Sequence, residues 1–153
     1  MIKLQIGDKA PDFQGINEKG ESISLNDFKG KKLILFFYPK DNTPACTAEA
    51  CSLRDSYTEL REKGFELLGI SADDAKSHQK FKDKHFLNFP LIADTDLTIL
   101  NAYGVWGPKK FMGREYDGIN RKTFVIDASG VIERIFDKVK TANHADQILE
   151  SYQ

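Results

Sequence analysis

Six consecutive apolar residues, Leu33-Ile34-Leu35-Phe36-Phe37-Tyr38, stop at Pro39. A run that is apolar on both faces specifies a strand buried on both sides. After the polar stretch Lys40-Asp41-Asn42 comes Thr43-Pro44. A capping hydroxyl followed by proline at the first helical position marks a helix start. Ala50, Leu53, Tyr57 and Leu60 then recur at steps of three and four. This predicts a helix from about Pro44 to Lys63 with one core-facing stripe, stopped by Gly64 in the C′ position. Phe65 to Ser71 reads as a second buried strand. Strand, helix and strand together make a parallel β-α-β unit.

The flanking segments complete an α/β architecture. Short strands are predicted near residues 12–17 and 22–25, joined at Glu18-Lys19-Gly20, with Asn26 to Gly30 as a turn. A polar helix is expected at about residues 74–86, with Phe81 and either His85 or Phe86 facing inward. Pro90 to Ala93 reads as a short strand, and Asp96 as the cap of a short helix ending at Tyr103-Gly104. Residues 105–120 contain Gly107, Pro108, Gly113 and Gly118 and read as a long surface loop. Lys122 to Ile126 and Val131 to Phe136 form a hairpin around Asp127-Ala128-Ser129-Gly130. A last helix runs from His144 to about Tyr152, capped by Asn143. The expected fold is a central mixed β-sheet flanked by helices, with an N-terminal β-hairpin, in a single domain spanning 1–153. Chemistry in such sheets sits beyond the carboxyl ends of the strands, which is where Tyr38-Pro39 lies.

Cys46 and Cys51, the only cysteines, both fall in the helix that begins there. With Thr43 as N-cap and Pro44 at N1, Cys46 occupies the third helical position. There it meets unpaired backbone N–H groups and the positive end of the helix dipole, which favour the nucleophilic thiolate. Thr43 is expected to cap a backbone N–H with its oxygen while its proton points at whatever lies beside the sulfur. Pro39 is expected to shield the sulfur from water and fix the loop. Five residues along a straight helix set the two Cα atoms about 8.6 Å apart. A disulfide wants roughly 4.4–6.8 Å. A bridge between them therefore requires residues from about 45 to 52 to rearrange. The competing reading is two inert cysteines buried on one helix; the threonine, the proline and the position after a buried strand weigh against it.

Charge and composition exclude several function classes. The 22 basic and 23 acidic residues give a net charge of −1, so neither nucleic acid nor an anionic membrane is an expected partner. The longest apolar run is far short of a membrane span. The N-terminus lacks the features of a signal peptide, so a cytoplasmic protein is expected. His78, His85 and His144 match no metal spacing, and two cysteines are too few for structural zinc; no metal or cofactor is expected. Lys76, Lys80, Lys82 and Lys84 read as a solvated helix face.

The pattern Pro39-x-x-x-Thr43-x-x-Cys46 resembles the active-site signature of the peroxiredoxins. The run from Phe37 to Cys51, continued by Ser52-Leu53-Arg54-Asp55, is similar to the bacterioferritin comigratory protein (peroxiredoxin Q) branch. The resemblance covers nearly the whole chain. It includes Gly7-Asp8-x-Ala10-Pro11-Asp12-Phe13, Leu68-Gly69-Ile70-Ser71 and Phe89 to Asp94. It continues through Tyr103 to Gly107 and Phe111-Met112-Gly113 to Arg121-x-Thr123-Phe124-Val125-Ile126-Asp127. One departure is Ala45, where the branch often has glycine.

The resemblance implies a thioredoxin-like fold and a thiol peroxidase. Cys46 would be the peroxidatic cysteine and Cys51 the resolving one, joined in an intramolecular disulfide. Thr43, Pro39 and Arg121 would form the pocket. Hydroperoxides would be the substrates and thioredoxin, or a similar dithiol, the reductant. Because both cysteines lie on one helix, a monomer suffices. Glu49, one turn from Cys46, lies within reach of Arg121 in such a pocket; the alternative is a solvated helix glutamate. Arg54 is given a supporting role. Trp106, Phe111 and Met112 either flank the pocket, dock the reductant or, for Trp106, pack in the core. Two other functions remain open. A thiol-disulfide reductase would want Cys-x-x-Cys. A redox sensor or chaperone would signal its disulfide to a protein partner.

Overall fold

The computed structural model describes residues 3–153. The chain begins with the hairpin β1 (Gln14–Ile16) and β2 (Ser22–Ser24) and a 3-10 turn at Leu25–Phe28. Then come β3 (Lys32–Phe37), α1 (Pro44–Asp55), α2 (Tyr57–Glu62), β4 (Phe65–Ser71), α3 (Ala75–His85), β5 (Leu91–Ala93) and α4 (Thr98–Ala102). The last part holds β6 (Trp106–Phe111), β7 (Arg114–Ile119), β8 (Lys122–Ile126), β9 (Ile132–Phe136), a 3-10 turn at Thr141–Asn143 and α5 (His144–Glu150). Five strands form the main sheet in the order β5-β4-β3-β8-β9. β3 pairs parallel with β4 and antiparallel with β8, as the β-α-β centre and flanking hairpin require. Among the described residues, no helix is long and apolar enough to cross a membrane.

The double apolar face of β3 builds two cores. Ile34, Phe36 and Tyr38 face one way, into a cluster with Cys46, Ala50, Leu53, Leu60, Phe81 and Ile148. Leu33, Leu35 and Phe37 face the other, into a cluster with Leu68, Ile70, Ile99, Tyr103 and Phe124. Each such side chain, fully buried, contributes about 1.5–3 kcal/mol. Cys46 extends the stripe of α1, so the thiol starts out at the buried sheet face of the helix, not on its solvent face.

Register decides which residues meet beyond the carboxyl end of β3. In the antiparallel ladder Phe37 lies opposite Lys122. Arg121, one residue earlier, therefore stands beside Tyr38 and Pro39, and so beside the start of α1.

Four expectations change. The predicted helix 44–63 breaks at Ser56 (φ −106°, ψ 8°) into α1 and α2. Asp55 and Ser56 compete with the backbone for hydrogen bonds, and the Asn88 amide takes the Arg54 carbonyl at 3.4 Å. The supposed loop 105–120 is the hairpin β6–β7. Its turn residues Met112 and Gly113 both have positive φ (50° and 81°), as a two-residue hairpin turn needs. Residues 111–117 are all exposed, so the ribbon gives no alternation of burial to read. Phe86 does not face inward: it is 81% exposed in a left-handed conformation, while His78 and Phe81 are buried. Lys82 is not simply solvated, since its ammonium pairs at 2.9 Å with the buried Glu18.

Gly69 marks a close approach within the main sheet. A Cβ there would lie 2.7 Å from Phe36 Cζ and 2.8 Å from Leu91 Cδ2. Gly69→Ala is expected to cost about 1–3 kcal/mol by overpacking. Urea unfolding checks this as a lower midpoint at unchanged slope.

Candidate active site

The loop between β3 and α1 is held by a buried polar network. Tyr38 donates its hydroxyl to Asp41 Oδ1 at 2.6 Å. Asp41 Oδ2 accepts from Ser77 Oγ at 2.8 Å and meets His78 Nδ1 at 2.7 Å. The Asp41 backbone N–H donates to Asp73 at 2.9 Å. His78 Nε2 must donate to the Ile92 carbonyl at 2.9 Å, because a carbonyl only accepts. One proton is therefore shared between Nδ1 and Asp41. Burial, followed by the charge of Asp41, pushes the Tyr38 hydroxyl well above its ordinary range. Asn42 takes φ 60°, which asparagine tolerates. Asp41, Asp73 and His78 bring ligand atoms within 4.8 Å of one another, a grouping that the spacing of the histidines did not suggest. Their atoms are engaged in the hydrogen bonds just described.

Thr43 takes the N-cap position in extended backbone, and its carbonyl accepts the first helical bond from Thr47 N–H at 2.9 Å. Its hydroxyl does not cap the helix, and its proton is not aimed at the space beside the sulfur. It donates to the Lys40 carbonyl at 2.8 Å. The oxygen's lone pairs are left to accept from a third group. Pro39 is half-buried in the same loop.

Cys46 is a free thiol, 1% exposed, at the third helical position. Arg121 Nη2 donates to its sulfur at 3.2 Å. The other terminal nitrogen, Nη1, pairs with Glu49 Oε1. Glu49 is thus not a solvated helix residue; its side chain is wholly buried. Burial pushes its carboxyl up to about 7, against the pull of Arg121. Arg121 is held above its ordinary range by Glu49 and Cys46, although burial opposes its charge. Lys109 on β6 is lowered by burial and by Arg121, with Cys46 acting the other way. The geometry offers a buried sulfur with a guanidinium donor beside it and a helix N-terminus beneath it. That combination stabilises a thiolate and the charge that develops when it attacks.

Cys51 is also a free thiol, partly buried, on the same unbroken helix α1. Arg54 raises no obstacle to it: its guanidinium holds Asp55 at 2.8 Å and the His85 carbonyl at 2.6 Å. Phe111 and Met112 lie exposed at the tip of the β6–β7 hairpin, and Trp106 is half-buried at its base. His144 was not singled out in the sequence. It is fully buried, with Nε2 3.7 Å from Glu49 Oε2, and burial lowers it to about 4. Its contacts come from α1, β8, β9 and its own helix, and no local pattern announces them.

The chain matches the AhpC/TSA family over residues 6–135. It is 47% identical over 149 residues to peroxiredoxin Bcp of Escherichia coli K12, covering 97% of this chain and 96% of the relative. It superposes with a TM-score of 0.92 on a Cys-to-Ser variant of Xylella fastidiosa PrxQ, at 29% identity and covering 99% and 97% of the two chains. A Xanthomonas campestris bacterioferritin comigratory protein, described for its alkyl peroxide reduction activity, matches with a TM-score of 0.85. Its identity is 34%, covering 91% of this chain and 88% of that one.

The two buried titratable groups act on stability in opposite directions. Glu49, raised in the fold from 4.5 to about 7, costs stability as pH rises through that window. His144, lowered from 6.5 to about 4, costs stability as pH falls through its own window. Glu49→Gln removes the first effect alone. The unfolding free energy of Glu49→Gln minus that of wild type is expected to rise by a few kcal/mol between pH 4.5 and 7. Urea titrations across that range check it, and a flat difference would contradict it.

Proposed function

Since the chain belongs to the AhpC/TSA family, as a thiol peroxidase of its Bcp peroxiredoxin branch, we propose that Cys46 is its peroxidatic nucleophile and Cys51 its resolving thiol. The observation that carries the reading is the Arg121 guanidinium 3.2 Å from a buried Cys46 sulfur at a helix N-terminus.

The cycle runs as follows. The Cys46 thiolate attacks the terminal oxygen of a hydroperoxide. The O–O bond breaks, sulfur becomes a sulfenic acid, and the other oxygen leaves as water or alcohol after taking a proton. Charge moves from sulfur to the leaving oxygen, so donors fixed along that path lower the barrier. Arg121 and the Cys46 backbone N–H supply those donors. Thr43 has committed its own proton to Lys40. Its oxygen therefore accepts from the hydroperoxide O–H and orients it. Pro39 shields the sulfur. Ala45 adds one methyl near the entrance.

The Cys51 thiol then displaces water from the sulfenic acid, and a disulfide forms within the chain. On a regular helix the Cα separation is about 8.6 Å, too long for a bridge. α1 must therefore unwind over about 45–52. A dithiol, thioredoxin or a similar protein, restores both thiols by exchange. We assign hydrogen peroxide and organic hydroperoxides as substrates. The protein acts as a monomer in the cytoplasm, in one domain of residues 1–153, and needs no metal or organic cofactor.

Cys46→Ser is expected to abolish peroxide consumption with thioredoxin, thioredoxin reductase and NADPH. Cys51→Ser is expected to keep one fast turnover and then stall. Full steady-state activity in Cys46→Ser would refute the assignment. Amide exchange separates the two redox forms as well: protection over residues 45–52 is expected in the reduced protein and lost in the oxidised one. Equal protection in both would rule out the unwinding.

A further inference from the structure

Glu49 Oε2 is, among the described residues, the one buried side-chain polar atom without a hydrogen-bond partner. Such an oxygen is costly on a charged carboxylate and much less so on a neutral acid. It faces His144 Nε2 at 3.7 Å, and the hydrogen bonds around His144 settle what that nitrogen carries.

Gln147 Nε2 donates to the Lys138 carbonyl at 2.8 Å. The amide oxygen of Gln147 therefore points the other way, accepting from Lys140 N–H at 3.0 Å and meeting His144 Nδ1 at 2.9 Å. The proton in that last contact must sit on Nδ1. Burial keeps the ring neutral, so Nε2 holds a lone pair, and Thr123 Oγ1 donates to it at 2.8 Å. With the one lone pair of Nε2 taken by Thr123, His144 offers Glu49 Oε2 no donor. A carboxylate oxygen left without a donor there is costly; a neutral acid loses far less.

Arg121 acts on Glu49 directly, and Cys46 and Lys109 reach it only through Arg121. Arg121, at the start of β8, pairs with Oε1; Cys46, on α1, shares that guanidinium; Lys109, on β6, feels both Arg121 and Cys46. One guanidinium therefore touches two potential anions, a sulfur and a carboxylate, in a site nearly closed to water.

We propose that His144 is a positioning residue for the reaction at Cys46: by offering the buried Glu49 Oε2 no donor, it disfavours the carboxylate, so that the proton of the pair rests on Glu49 and the negative charge on the sulfur. The step is Cys–SH plus Glu–COO⁻ giving Cys–S⁻ plus Glu–COOH, and it requires no other reactant. The inference rests on Cys46 being the nucleophile, as proposed above.

Ultraviolet titration of the Cys46 thiolate tests it, in a Cys51→Ser background so that a single thiol reports. His144→Gln turns an amide N–H towards Glu49 Oε2 and stabilises the carboxylate. The pH of half-ionisation of Cys46 is expected to rise by about one unit. Thr123→Val removes the donor from Nε2 and frees its lone pair for a neutral Glu49; the half-ionisation pH is expected to fall. With Glu49→Gln added, both shifts are expected to vanish. No shift, shifts of the same sign in the two variants, or shifts that persist with Glu49→Gln would overturn the proposal. The titration uses no peroxide. Opposite shifts in a protein that consumes no peroxide would thus support the role of His144 and remove the peroxidase cycle instead.

Discussion

The bidentate position of Arg121, with one nitrogen on the Cys46 sulfur and the other on Glu49, organises everything around the site. It joins the first turn of α1 to the first residue before β8, segments 75 positions apart in the chain. What brings them together is backbone pairing. Phe37 opposite Lys122 in an antiparallel ladder leaves Arg121 no other neighbourhood. A one-residue slip would move every side chain of β8 to the opposite face. The arrangement of Arg121, Cys46 and Glu49 is therefore secured by the same strand register that fills the two cores.

A second constraint acts on the loop ahead of the helix. Asp41 gathers Tyr38, Ser77 and His78 and fixes the path from the end of β3 to Thr43. The loop and the amino end of α1 are thereby preorganised, and α1 is anchored by the buried Cys46, Glu49, Ala50 and Leu53. The break at Ser56 separates the segment carrying both cysteines from α2, which packs on β4. A short helix with a discontinuity at its far end can lose a turn without dismantling the sheet beneath it. In the proposed cycle, the amino end of α1 supplies a fixed donor for the first step and the rest of α1 yields for the second.

Much of this was legible in the residues. The runs at Leu33 and Phe65 announced the central strands because burial on both faces leaves no polar alternation. Thr43-Pro44 announced the helix start, and with it the setting of Cys46. Arg121 was reached only through resemblance to a family, since nothing local marks an arginine before a strand as an active-site group. The Thr43 hydroxyl was misread because its partner, the Lys40 carbonyl, depends on loop conformation and not on spacing. The β6–β7 ribbon was missed because exposed strands carry no burial pattern. His144 was read as a helix start alone, since its partners Thr123 and Gln147 are chosen by packing across the fold.

The most direct measurement mixes fully reduced protein with one equivalent of hydrogen peroxide in a stopped-flow instrument. It follows Trp106 fluorescence and traps the product for intact mass. A fast change accompanied by loss of two hydrogens, absent in Cys46→Ser, is the expected result. It would show a single activated thiol resolved within the same chain. A slow reaction, or oxygen added to either cysteine without preference, would contradict the account, because the contacts of Arg121 would then fail to set Cys46 apart from an ordinary thiol.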